Sequence, residues 1–129
     1  MFRIKTTRPQ EFIEITGRIE EVVREQGVVS GMVTVFVPHT TAGITINENG
    51  DPDVVHDILT SLENAFPEKG NYRHFEGNSH AHIKASLMGS SITVLVENGR
   101  LKLGTWQGLY LCEFDGPRTR TIYVKAISD

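Results

Sequence analysis

What most constrains this chain is the order of its strand-forming runs. At least five short segments rich in β-branched residues surround only two or three helix-like segments, with no regular strand–helix–strand repeat. That order predicts an α+β domain built mainly on antiparallel sheet. Gly31 to Pro38 carries Met32, Val33, Val35, Phe36 and Val37, a nearly continuous apolar run of the kind that is covered on two faces. Pro38 has no amide proton, so strand pairing ends there. Ala42 to Asn47 and Ser91 to Val96 alternate like further strands, and Asn98-Gly99 is a hairpin turn that starts a return strand at Arg100. Leu109, Leu111 and Glu113 alternate with Tyr110 and Cys112. Asp115-Gly116-Pro117 forms a turn, and Thr119 to Ile127 is the last strand.

Helices are expected in three places. Thr16 to Gln26 puts Ile19, Val22 and Val23 on one face, with Thr16 as cap and Gly27 as stop. A second helix follows Asp51 as N-cap and Pro52 at the first helical position, with Val55, Ile58, Leu59, Leu62 and Phe66 as an apolar stripe ended by Pro67. The third runs from Ser79, as cap, to Met88, with Ile83 and Leu87 on its buried face and Gly89 as stop. Glu11 to Ile15 reads either as an edge strand or as the approach to the first helix. Residues 67 to 79 form a polar loop of a length that is often functional.

At 129 residues the chain fits one domain, 1–129, with one core. Thirteen basic against sixteen acidic residues give a net charge of −3, which argues against a nucleic-acid partner. No apolar run approaches the roughly 20 residues of a membrane span, and Met1-Phe2-Arg3-Ile4-Lys5 does not open a secretory leader. A cytoplasmic protein with no membrane partner is expected. The single cysteine, Cys112, lies in an apolar strand and reads as an inert buried thiol.

The chemistry rests on the histidines at 39, 56, 74, 80 and 82. His39 follows a strand end, where sites are commonly mounted, though a solvated loop histidine fits equally. His56 flanks the apolar stripe of its helix and reads as surface. On a helix His80 and His82 diverge by about 200°, so they do not chelate one ion together. Three separated histidines suit a catalytic zinc with one open position, and neutral imidazoles also suit acid–base work near pH 7. In Asn47-Glu48-Asn49-Gly50-Asp51 a turn and helix cap account for Asn49, Gly50 and Asp51, while Glu48 is needed for neither and becomes a site candidate. Trp106, between Gly104 and Gly108, either plugs the core at a bulge or contacts a ligand or subunit. Arg118 and Arg120 either fork onto a phosphate or pair with Glu113 and Asp115.

Three segments together, Pro38-His39-Thr40-Thr41-Ala42 through Asn49, Ala81-His82-Ile83-Lys84-Ala85-Ser86-Leu87-Met88-Gly89-Ser90-Ser91, and Asn98 through Gly108 with its Leu-Gly-Thr-Trp-Gln, resemble the YjbQ-type family. The resemblance spans nearly the whole chain. It implies an α+β homotrimer with a polar, histidine-lined cleft near the subunit contacts that takes a metal ion or an anion. It also implies a secondary thiamine-phosphate synthase activity, joining a pyrimidine diphosphate to a thiazole phosphate with release of diphosphate. By position it places His39, His74 and His82 around one metal or anion, with His39, Glu48 and His82 as the catalytic set. Gln107, Arg118 and Arg120 become candidates for holding the phosphorylated ligand. The expected metal is divalent, zinc or, with a diphosphate substrate, magnesium. Where family members often carry an acidic or proline-bearing stretch, this chain has Asn78-Ser79-His80, and His80 is read as a surface residue of the cap region. A metal-dependent hydrolase for a small phosphorylated or carboxylated substrate is the alternative. A non-catalytic trimer that binds a small anion is the third reading.

Overall fold

Every strand pairing is antiparallel, and the pairings divide the strands between two sheets. A computed structural model describes all 129 residues. In chain order the elements are β1 (Phe2–Lys5), β2 (Glu11–Glu14), α1 (Thr16–Glu25), β3 (Gly31–Phe36), β4 (Ala42–Glu48), α2 (Pro52–Ala65), α3 (Ser79–Met88), β5 (Ser91–Glu97), β6 (Arg100–Leu101), β7 (Gln107–Glu113) and β8 (Thr119–Ser128). The larger sheet has the order β1-β8-β3-β5-β6, and the smaller β2-β7-β4. The α+β class is as expected from the sequence, and residues 11–14 resolve to a strand paired with β7.

The main core lies between the sheets. Val33 and Val35 of β3, Val94 and Val96 of β5 and Ile122 of β8 meet Ala42 and Ile44 of β4 and Leu109 and Leu111 of β7, with Ile19 and Val23 of α1 closing one side. Each such side chain contributes about 1.5–3 kcal/mol by leaving water. The small sheet is also covered on its far face. There Tyr110, Cys112 and Phe114 pack on Ala81 and Ala85 of α3, with Val55, Leu59 and Leu62 of α2 leaning on the same cluster. β7 is therefore buried on two faces, which explains why Cys112 is fully enclosed and its thiol pushed up by burial.

Local signals account for most boundaries. Asp51 Oδ1 accepts the Asp53 amide at 2.9 Å, and Pro52 sits in the first turn of α2. Asn98 and Gly99 have φ of 54° and 73°, the left-handed pair that a tight hairpin needs. Two caps differ from expectation. Thr16 does not cap α1: its hydroxyl donates to Glu14 Oε2 and accepts the Leu109 amide, because β2 and β7 lie beside it. Ser79 is already inside α3, whose cap position is Asn78.

α3 also faces the other way from its expected stripe. It buries His80, Ala81, Lys84 and Ala85, while Leu87 is 58% exposed. Gly43 is the reason the helix can sit so low. A Cβ there would lie 2.8 Å from the Gly89 carbonyl oxygen and 3.1 Å from Met88 Cβ. Gly43→Ala is therefore expected to push α3 off β4 and cost about 1–3 kcal/mol, measured by urea unfolding. An unchanged midpoint would show that this contact relaxes freely.

Candidate functional site

The low seat of α3 creates a cavity where the helix ends beside the exit of β3. Ile44 donates its amide to the Gly89 carbonyl at 3.0 Å, and Val37 donates to Ser90 at 2.8 Å. These bonds tie the end of α3 to β4 and to the chain leaving β3. Pro38 stops the ladder, and the next two residues turn into the gap. The result is a cavity of about 450 Å³ lined by His39, Thr40, Ala42, His82, Ala85, Ser86, Gly89 and Ser90. Its polar groups are two imidazoles and three hydroxyls, and no carboxylate lines it.

His39 is held firmly. Its Nε2 accepts the Thr121 amide at 2.9 Å, and Nδ1 makes no bond within the chain. Burial first, and then the Arg120 guanidinium, hold this imidazole below its ordinary pKa and favour its neutral form. Behind it lies an ion pair. Arg120 donates Nε to Glu113 Oε1 at 2.9 Å and a terminal nitrogen to Glu113 Oε2, and the same nitrogen reaches Thr41 Oγ1 at 2.9 Å. Thr6 adds its hydroxyl to Glu113 at 2.7 Å. Burial alone would raise the Glu113 pKa, but the bonds from Arg120, the Asp115 amide and Thr6 take it below the usual carboxylate range. This network fixes the loop that carries His39 and Thr40 against β8.

His82 projects from the exposed side of α3 and neither of its ring nitrogens is hydrogen-bonded within the chain. It also borders a second cavity of about 510 Å³, shared with Asn71, Tyr72, Arg73, His74, Ser79 and Ile83. His74 and His82 lie edge to face, with ring centroids 5.7 Å apart. His82 thus stands between His39 on one side and His74 on the other, and the last two share no cavity.

The three histidines expected around one metal, His39, His74 and His82, are thus divided between two cavities that share only His82. No group of three or more His, Cys, Asp or Glu side chains is placed to hold a metal ion. His39 has already spent its Nε2 lone pair on the Thr121 amide. Zinc needs three or four such lone pairs, and magnesium needs oxygen ligands, which the carboxylate-free cavity does not offer. The residues of one chain therefore do not fit either ion.

The remaining candidates fall elsewhere. Glu48 is at the far end of β4, six residues and about 20 Å from Ala42, paired in register with Gln107. Its carbonyl accepts the Tyr110 hydroxyl, while Gln107 Oε1 accepts the Gly104 amide and holds a turn. Within one chain neither reaches His39 or His82. Trp106, 65% exposed over Gly50, does not plug the core. The arginines pair with carboxylates: Arg118 with Asp115 at 2.7 Å and Arg120 with Glu113. His80 is not a surface residue. It is buried at 6% exposure, and its Nδ1, like Asn78 Oδ1, has no hydrogen-bond partner. His56 is exposed, as expected. Sequence reasoning missed Ser86 and Ser90, which only the docking of α3 brings to His39, although both sit in the motif around His82.

Two antiparallel sheets backed by helices, with a histidine- and hydroxyl-lined cavity where one helix ends, define a single-domain α+β protein with a polar cavity. The chain belongs to the YjbQ family: the model described as "UPF0047 protein YjbQ-like" matches residues 1–129. The UPF0047 protein YugU of Bacillus subtilis is 56% identical over 124 residues, 95% of this chain and 94% of that one. A UPF0047 protein of Methanocaldococcus jannaschii is 51% identical, covering 99% of this chain and 93% of its own length. The crystal structure of a YjbQ/UPF0047 family protein from Clostridium acetobutylicum superposes with a TM-score of 0.96 at 61% identity, over 98% of each chain. No helix is long and apolar enough to cross a membrane.

Proposed function

We propose that the cavity between His39 and His82 binds the phosphate of a small phosphorylated molecule. The reaction is group transfer of the thiamine-phosphate synthase type, carried out by a cytoplasmic homotrimer. The observation that carries this reading is the lining itself, donor-rich and free of carboxylates, at a size that takes a phosphate ester. In such a transfer the carbon–oxygen bond to diphosphate breaks as the thiazole nitrogen attacks the pyrimidine carbon. The leaving oxygens then need hydrogen-bond donors and a proton. In this reading His39, Thr40 and Ser90 supply donors, and His82 supplies the proton.

The test is turnover of the pyrimidine diphosphate and the thiazole phosphate by purified protein. His82→Ala is expected to lower kcat by about 10²–10⁴-fold, and His39→Ala to weaken phosphate binding by about tenfold or more. Unchanged turnover and unchanged phosphate affinity in both variants would reject the site. Phosphate binding with no turnover would favour the anion-binding trimer, and hydrolysis abolished by a chelator would favour the metal-dependent hydrolase.

The trimer is supported by the outer face of the large sheet. Met32, Phe36, Leu95, Tyr123 and Ile127 are each at least 42% exposed there, and Phe36 stacks on Tyr123 at 6.4 Å. An apolar band of this kind marks a contact surface. Phe36→Asp combined with Tyr123→Asp is expected to give monomers by light scattering after gel filtration. A trimer that survives both substitutions would place the contact elsewhere.

A further inference from the structure

The two imidazoles of the cavity are not equivalent, and their hydrogen bonds say how. A neutral imidazole carries one proton, on the nitrogen that is not accepting. In His39 the Thr121 amide points at Nε2 from 2.9 Å, so Nε2 is the acceptor and the ring proton sits on Nδ1. The main chain imposes this arrangement. Thr121 lies inside β8, paired with Arg3 across the sheet, and Arg120 next to it is anchored on Glu113 and Thr41. Turning the ring over would point a C–H at the amide. His82 carries no such constraint, since nothing in the chain bonds to either ring nitrogen.

We infer that Thr121 is a positioning residue: its amide fixes His39 as a permanent N–H donor toward a phosphate oxygen, and His82 is left as the imidazole that passes protons. This rests on the reading of the cavity as a phosphate site and assigns the roles within it. His39 then needs no change of protonation during a catalytic cycle.

Two substitutions separate the nitrogens. His39→Asn places an amide N–H close to the position of Nδ1 but leaves the Thr121 amide without a partner. His39→Gln offers an acceptor near the position of Nε2 but no donor at Nδ1. With inorganic phosphate as the probe in calorimetric titration, His39→Asn is expected to bind within about threefold of the wild type. It should also melt at a lower temperature. His39→Gln is expected to melt near the wild type and to lose about tenfold or more in phosphate affinity. The opposite pairing of effects would overturn the inference. A long-range ¹H–¹⁵N spectrum of the ligand-free wild type is expected to show the His39 proton on Nδ1, and a proton on Nε2 would equally overturn it. The spectrum needs no ligand, so it decides the tautomer even if the wild type binds no phosphate. That last result would refute the phosphate site itself and with it the acceptor assigned to His39.

Discussion

Glu113→Ala is expected to destabilise the fold by about 3–5 kcal/mol, because it leaves a buried guanidinium with no counter-charge. The Arg120 and Glu113 side chains are 4% and 0% exposed, and Glu113 also takes the Thr6 hydroxyl and the Asp115 amide. Without the carboxylate, Arg120 keeps only Thr41, while the Thr6 hydroxyl keeps the Arg118 backbone, donating to its carbonyl and accepting its amide. The loss should show as a lower urea midpoint with an unchanged slope. Phosphate binding should fall with it, because Arg120 holds Thr41 and Thr41 ends the loop that carries His39. A variant as stable as the wild type would mean that water reaches the pair.

The second large effect concerns Lys84, which is 0% exposed with its ammonium 2.6 Å from Glu63 Oε2 and 3.1 Å from Gln10 Oε1. Glu63 itself is 42% exposed. The two partners should therefore respond unequally. Glu63→Ala strands a buried ammonium on one neutral amide, and an expected cost of about 2–4 kcal/mol follows. Lys84→Met removes the buried charge, fills the same space and lets Glu63 return to water, so its cost is expected to be within about 1 kcal/mol. Equal losses in the two variants would contradict this account. The pair also sets a pH dependence. Burial would raise the Glu63 pKa, but the bonds from Lys84, Gln10 and the Glu68 amide outweigh it and hold the group at about 2, against 4.5 when free. Its contribution is fully present above pH 4.5 and is lost as the pH falls toward 2. Unfolding midpoints should drop across that window, and Glu63→Gln should flatten part of the drop.

Much of the fold was legible because its signals are local. Pro38 ends a ladder, Asp51 and Pro52 start a helix, and Asn98-Gly99 turns a hairpin, but the apolar run of β3, expected to be covered on two faces, buries only its Val33 and Val35 side and leaves Met32 and Phe36 exposed. What was not legible depends on partners distant in the chain. α3 carries no apolar stripe on its buried side, because that side is His80, Ala81, Lys84 and Ala85. Small residues there let the helix sit against Gly43, and a lysine there is solvable only with Glu63 from α2 and Gln10 from the turn before β2. The same holds for the site. His39 and His82 were marked by their motifs, and the cavity brings them together. Glu48 sits in an equally distinctive motif but at the end of β4 opposite Ala42. Motif strength says that a residue matters and only the register says where it points. His74 reaches His82 but not His39, so the three-histidine cluster expected from the sequence is two adjoining pairs.

The most direct test of the phosphate site is titration of inorganic phosphate into isotope-labelled protein, following backbone amide and imidazole resonances. Saturable shifts confined to His39, Thr40, His82, Gly89 and Ser90 are the predicted result. Shifts centred on Glu48 and Gln107 at the opposite end of the small sheet, or no saturable shifts at all, would contradict it.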